Sequence, residues 1–204
     1  DQRPPMTDTE GNDIPADPAG PTILFVFKSS IEQHVGEISY FRVVSGKVTE
    51  GMELLNMRTE NKEKLSQLFA VAGKNRVKVS EMSAGDIGCT VKLKSTRTGD
   101  TLAPAGSHTV ISPMVFPEPR YRAAVRAVNQ ADEEKLGELL NKARYEDPTL
   151  LVEYSKELKQ TIVQGQGELH LKILRDQIMG GSKIDIEYFA PRIPYRETIT
   201  KTAA

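Results

Sequence analysis

The chain has 204 residues, 38% hydrophobic and 27% charged, with a formal net charge of −1 at pH 7. That is enough apolar material for one large or two small packed domains and excludes wholesale disorder. Residues 1–20 hold five acids and one base, while residues 21–112 hold 12 Lys/Arg against 9 Asp/Glu, so no segment has the basic excess of a free-standing nucleic-acid binder.

In chain order, residues 1–20 carry Pro4, Pro5, Pro15, Pro18, Gly11 and Gly20 among their acids and are expected to form an extended linker that buries little. From Thr22 the pattern changes to strands at Ile23–Phe27, Val35–Val44, Met52–Met57, around Leu65–Ala72, at Gly88–Leu93 and at Thr109–Met114. About six short strands without an intervening helix predict a small closed β-barrel over 21–114. Prolines 113, 117 and 119 mark a boundary.

Beyond it, Arg120–Val128 alternates as a strand. Leu136, Leu139, Leu140 and Ala143 then recur at helical spacing until Asp147-Pro148. Two strands at Leu150–Tyr154 and Gln160–Gln164, a helix from about Gly167 to Met179 stopped by Gly180-Gly181, and a strand at Ile184–Phe189 complete a ferredoxin-like βαββαβ domain over 115–190. Residues 191–204 read as a linker or the start of another domain.

No catalytic constellation is present. The chain lacks G-x-x-x-x-G-K-[ST] and G-x-S-x-G, and His34, His108 and His170 show no zinc spacing. Cys89, the single cysteine, excludes an internal disulfide, suits a reducing compartment and reads as a core residue of an apolar strand. Gly165-Gln-Gly-Glu-Leu-His170 has His at the third glycine of a dinucleotide fingerprint and lies among antiparallel strands. No catalytic, cofactor or metal residue is therefore assigned. The same six residues place two glycines at a strand-to-helix turn, where positive φ is expected, and set Glu168 and His170 in the first helical turn. In the barrel, Arg42, Lys47, Arg58, Lys62 and Lys64 either contact a phosphate backbone or form a solvated face interleaved with Glu37, Glu50, Glu53, Glu60 and Glu63.

Val35-Gly-Glu-Ile-Ser-Tyr-Phe-Arg-Val-Val-Ser-Gly46, Ala84-Gly-Asp-Ile-Gly88, Thr98-Gly-Asp-Thr-Leu102, Pro117-Glu-Pro119, Asp132-Glu-Glu-Lys-Leu136, Glu146-Asp-Pro148, Gly165-Gln-Gly-Glu-Leu-His-Leu171 and Tyr195-Arg-Glu-Thr-Ile199 together resemble bacterial elongation factor G. The resemblance spans about residues 21–200 and implies domains II and III of that translational GTPase. Residues 1–20 would be the linker from a GTPase domain and 191–204 the approach to domain IV.

It further implies a cytoplasmic factor that moves tRNA and mRNA through the ribosome. GTP and Mg would bind in the missing N-terminal domain and no cofactor in this fragment. Its expected partners are small-subunit rRNA, a small-subunit protein, its own GTPase domain and domain IV, with no membrane. By matching position, Arg42, Ser45, Gly46 and Lys47 are expected at rRNA, and Gly165, Gln166, Gly167, Glu168 and His170 at the switch and ribosome contacts. A ribosome-protection factor, another paralogue, or a stand-alone RNA-binding module is the alternative reading. The chain departs from the family pattern at Gln164, Gln166 and Lys172, and has Lys92 and Lys159 where glycine or a small residue is customary.

Overall fold

Residues 5–195, apart from Gln33 and Lys74, are described by a computed structural model. The chain divides at Val115/Phe116 into two units, the first built from β-strands and the second from four strands and two α-helices.

The first unit holds β1 (Met6–Thr7), β2 (Asp13–Ile14), β3 (Ile23–Glu32), β4 (Gly36–Ser45), β5 (Lys47–Thr49), β6 (Glu53–Asn56), β7 (Lys62–Lys64), β8 (Leu68–Ala72), β9 (Asn75–Val79), β10 (Glu81–Ser83), β11 (Ile87–Val91) and β12 (Thr101–Ala103). Eight of these form one sheet in the order β7-β6-β12-β3-β4-β11-β8-β9, and β5 pairs with β10. Among the described residues β7 and β9 do not pair with one another, so the ladder is open where a closed barrel was expected. The β8–β9 hairpin runs on into β10, which pairs with β5 ahead of β6.

Side chains alternate across a strand. Leu24, Val26, Phe41 and Val43 accordingly join Leu65, Leu68 and Leu102 in the main core, while Ile23, Phe25 and Val44 face the other way. Ile14 and Ile111 cover that second face, at 6% and 2% exposure. Residues 6–14, expected as part of an extended linker, are thus a hairpin packed on the sheet. The uninterrupted run Ile23–Phe27 needs cover on both faces, which explains the packing. Thr109–Met114, expected as a strand, contributes only an isolated bridge from Ile111 to Asp8. Glu63, read as one of the solvated acids, is 1% exposed. Its Oε1 accepts Ser95 N (2.7 Å), Ser95 Oγ (2.9 Å) and Thr96 Oγ1 (3.0 Å), and its Oε2 accepts Lys94 N (2.8 Å), which satisfies a buried carboxylate and fixes the 94–96 loop.

The second unit runs β13 (Tyr121–Ala127), a 3-10 turn (Gln130–Asp132), α1 (Glu133–Glu146), β14 (Leu151–Ser155), β15 (Gln160–Gly165), α2 (Glu168–Ser182) and β16 (Ile186–Phe189). The strands lie in the order β14-β15-β13-β16, with every pair antiparallel. Leu136 and Leu140 of α1 and Leu171, Leu174 and Ile178 of α2 pack with Ala123, Val125, Ala127, Val163 and Ile186 of the strands, so both helices bury an apolar stripe against one sheet face. Glu133 Oε1 accepts Ala127 N at 2.9 Å and ties the start of α1 to the end of β13.

α2 does not stop at Gly180-Gly181. It continues to Ser182 and closes on Lys183, whose left-handed φ of 57° lets its amide reach Met179 O at 3.2 Å. Burial of Ile178 and Ile184 around this last turn outweighs the helix-interior cost of a glycine, about 1 kcal/mol each.

Candidate functional site

Strand β15 ends at Gly165 and α2 begins at Glu168, leaving two residues to turn the chain. His170, third in the helix, reaches back so that Gln166 N donates to its Nδ1 at 3.1 Å, a variant of the capping box in which a first-turn side chain satisfies an amide just before the helix. Its Nε2 lies 2.9 Å from Asp147 Oδ2 at the C-terminus of α1. Since Nδ1 accepts, the neutral ring carries its proton on Nε2 and donates it to Asp147. Asp147 Oδ1 in turn accepts Thr149 N (2.8 Å) and Thr149 Oγ1 (2.6 Å). Burial pushes the Asp147 carboxyl up, but the Thr149 donors and His170 outweigh it and hold the group below the ordinary carboxylate value.

The two glycines play different parts from the one expected. Neither has positive φ. Gly167 is extended at −176°, and a Cβ there would meet nothing. A Cβ on Gly165 would sit 2.9 Å from His170 Nδ1 and 3.0 Å from Leu171 Cδ2, so Gly165 is needed for the imidazole to close over the strand end. Gln166 Nε2 donates to Pro117 O (3.0 Å) and Arg120 N to Gly165 O (2.9 Å), anchoring the turn to the segment leading into β13.

Around this fixed turn the exposed groups are Glu168, with no ion pair among the described residues, Leu169 (69% exposed) and Ile173 (48%). A cleft of about 310 Å³ between the helices is lined by Asp147, Leu150, His170, Ile173, Leu174 and Gln177. The expected residues Gly165, Gln166, Gly167, Glu168 and His170 therefore do cluster. Asp147, Thr149, Leu169 and Ile173 were missed. Leu169 and Ile173 were legible as apolar positions off the Leu171/Leu174/Ile178 stripe, whereas only the folded chain brings Asp147 to His170.

In the first unit, Arg42, Ser45, Gly46 and Lys47 follow one another along β4 and into β5. Ser45 is 2% exposed. Asp17 O accepts Gly46 N (2.8 Å), Gly20 N (3.1 Å) and Ser45 Oγ (3.4 Å), and Thr22 Oγ1 donates to Lys47 O (2.6 Å). Gly46 has φ +71°, and a Cβ there would lie 2.7 Å from Gly20 O and from Thr22 Cα. Ser45 and Gly46 thus lie beneath residues 17–22 and shape the corner, leaving the charged side chains at its rim. Lys47 is exposed and paired with Glu81 at 3.3 Å. Arg42 is half-buried, has no carboxylate partner among the described residues, and its Nε is buried without a hydrogen bond. Arg58 is held by Asp100 and Lys62 by Glu53, so the wider basic cluster is largely an ion-paired face.

Among the described residues no group of three or more His, Cys, Asp or Glu could hold a metal ion, and no helix is long and apolar enough to cross a membrane. Cys89 is buried, and burial raises its thiol pKa, which disfavours the reactive thiolate. Burial likewise pushes Tyr188 up to about 12, its hydroxyl donating to Leu171 O at 3.0 Å.

Residues 21–105 match the family model of elongation factor G domain 2, and residues 116–189 match that of Elongation Factor G, domain III. A crystal structure of a protein from Thermus thermophilus is similar over 89% of this chain at 30% identity and a TM-score of 0.76. The chain spans 27% of the length of that protein. A β unit and an α+β unit with these matches define a piece of a translation elongation factor. The chain belongs to the elongation factor G family, whose members are translational GTPases, and the matched parts are domains II and III rather than a GTPase domain.

Proposed function

We propose that this chain is the coupling portion of a cytoplasmic translational GTPase that promotes movement of tRNA and mRNA through the ribosome. In this reading the first unit serves as domain II, meeting small-subunit rRNA, with Arg42 and Lys47 as the contacting bases and the Ser45-Gly46 corner setting their position. The second unit, ferredoxin-like, serves as domain III between the nucleotide switches and a small-subunit protein. GTP and Mg bind in a preceding domain, and domain IV follows.

The observation that carries the reading is the Gly165–His170 turn. Its backbone is tied to His170 and Arg120 and its Gln166 side chain to Pro117, yet it presents Glu168 and Leu169 to solvent. A rigid base under exposed charged and apolar groups is what a transmitted contact requires.

The test is Glu168→Ala in the full-length parent. Glu168 is exposed, so the substitution should change stability by no more than about 0.5 kcal/mol while slowing ribosome-stimulated GTP turnover. Equal turnover by mutant and wild type would overturn the assignment. Titration of GTP into the 204-residue chain should give no binding heat, and micromolar affinity would place a nucleotide site within it.

Lys172, exposed on α2 and a departure from the family pattern the chain resembles, favours a second reading, a paralogue or ribosome-protection factor of the same architecture. Lys172→Glu restoring translocation to a weakly active parent would support it.

A further inference from the structure

The role of His170 depends on which ring nitrogen carries the proton, and its Nε2 lies 2.9 Å from the carboxylate of a residue 23 positions earlier. We infer that Asp147 is a positioning residue that sets the His170 tautomer and thereby holds the Gln166 amide in the turn. It acts from the end of α1 on the start of α2. The consequence for turnover rests on the coupling role proposed above; the assignment itself rests on geometry alone.

Four hydrogen bonds link Gln166, His170, Asp147 and Thr149, with the donations converging on the Asp147 carboxylate. Thr149 N and Thr149 Oγ1 both donate to Asp147 Oδ1. The other oxygen, Oδ2, is left to accept from His170 Nε2. With the proton drawn to Nε2, Nδ1 presents a lone pair to Gln166 N. Gly165, lacking a Cβ, leaves room for the ring to make that contact. An aspartate can accept at both oxygens at once, and each link depends on the one before it.

This arrangement makes an unusual demand of Asp147→Asn. Thr149 supplies two donors on the Oδ1 side, so the amide oxygen must occupy that place and the NH2 must face His170. Nε2 then becomes the acceptor, the ring proton moves to Nδ1, and two donors, Nδ1–H and the Gln166 N–H, point at one another. Asp147→Ala only deletes a contact and leaves Nδ1 free to accept. If Asp147 were a simple packing or capping residue, alanine would be at least as damaging as the near-isosteric asparagine. A tautomer-setting residue reverses that order.

The experiment is nitrogen-15 NMR of the 204-residue chain at neutral pH, reading the His170 ring nitrogens and the exchange rate of the Gln166 amide. Wild type should show the Nε2–H tautomer; finding Nδ1–H there overturns the inference without any variant. Asp147→Asn should shift the ring to Nδ1–H and speed Gln166 exchange about tenfold, as expected for one lost net hydrogen bond. Asp147→Ala should fall between it and wild type. Exchange in Asp147→Asn no faster than in Asp147→Ala, or an unshifted tautomer, overturns it. In the full-length parent, Asp147→Asn should reduce ribosome-stimulated turnover more than Asp147→Ala. A shifted tautomer with unchanged turnover would sink the coupling role and leave the tautomer assignment standing.

Discussion

Arg58 grips Asp100 with two nitrogens, Nε to Oδ1 at 2.6 Å and Nη2 to Oδ2 at 2.9 Å. The same carboxylate, 3% exposed, also accepts Asn56 Nδ2 (2.8 Å) and Arg97 N (2.9 Å). One buried acid therefore joins the β6–β7 connection to the loop before β12. Asp100→Ala leaves the Asn56 and Arg97 donors unsatisfied and should lower the stability of the first unit by about 2–3 kcal/mol. Urea unfolding measures this, and a loss below half that range would show that water replaces the carboxylate.

Acid should act through the same group. Burial raises the Asp100 pKa, but Arg58, Asn56 and the Arg97 amide more than reverse this, so its folded value is lowered. Asp147 is lowered as well. A depressed carboxylate stabilises the fold fully above its unfolded value near pH 4 and loses that contribution as pH falls through the lower folded value. Wild type should therefore lose stability below about pH 4 more steeply than Asp100→Asn, as followed by thermal unfolding across pH.

Gly46→Ala tests the corner that carries Lys47. Its φ of +71° and the 2.7 Å approach to backbone atoms of residues 20–22 leave no room for a methyl group. A loss of about 2 kcal/mol or more is expected, from left-handed strain added to the clash. Thr22 Oγ1 should part from Lys47 O as the 17–22 segment lifts, a change visible as faster proteolysis near Ala19.

Lys92 and Lys159 both adopt left-handed backbone, φ 62° and 46°, a conformation that costs any residue with a Cβ. Lys159→Gly removes a strain of about 1–2 kcal/mol but frees the unfolded chain by about 0.5–1 kcal/mol. A net gain of up to about 1.5 kcal/mol follows, and the same holds for Lys92→Gly. Denaturation midpoints decide it. A clear loss from Lys159→Gly would mean that its side chain stabilises the cleft it lines with Tyr154 and Arg192.

Elements whose signal is local were legible in the sequence. The Leu136/Leu140 stripe marked α1, the Gly165–Glu168 break marked the turn, and the alternation around Ala123–Ala127 marked β13. Readings that needed knowledge of both sheet faces went astray. Proline-rich residues 1–20 look too polar to pack, yet Ile14 fills a site created by Phe25 and Val44. Glu63 looks solvated, yet four donors from 94–96 gather around it. The turn's residues could be named from their spacing, but not the reason for them. Gly165 answers to a ring five residues ahead, and His170 to an acid on another helix.

The bridge between Asp8 and Ile111 also brings the two exits of the first unit together. Thr9 N donates to Val110 O (2.9 Å), Ser112 N to Thr7 O (3.0 Å) and Ser112 Oγ to Asp8 O (2.6 Å). The two segments run antiparallel, so the chain before Thr7 and the chain after Ser112 leave side by side. The hydrogen bonds that join them, Thr7–Ser112 nearest the two exits and Thr9–Val110 beyond it, therefore fasten both exits of the unit at one place.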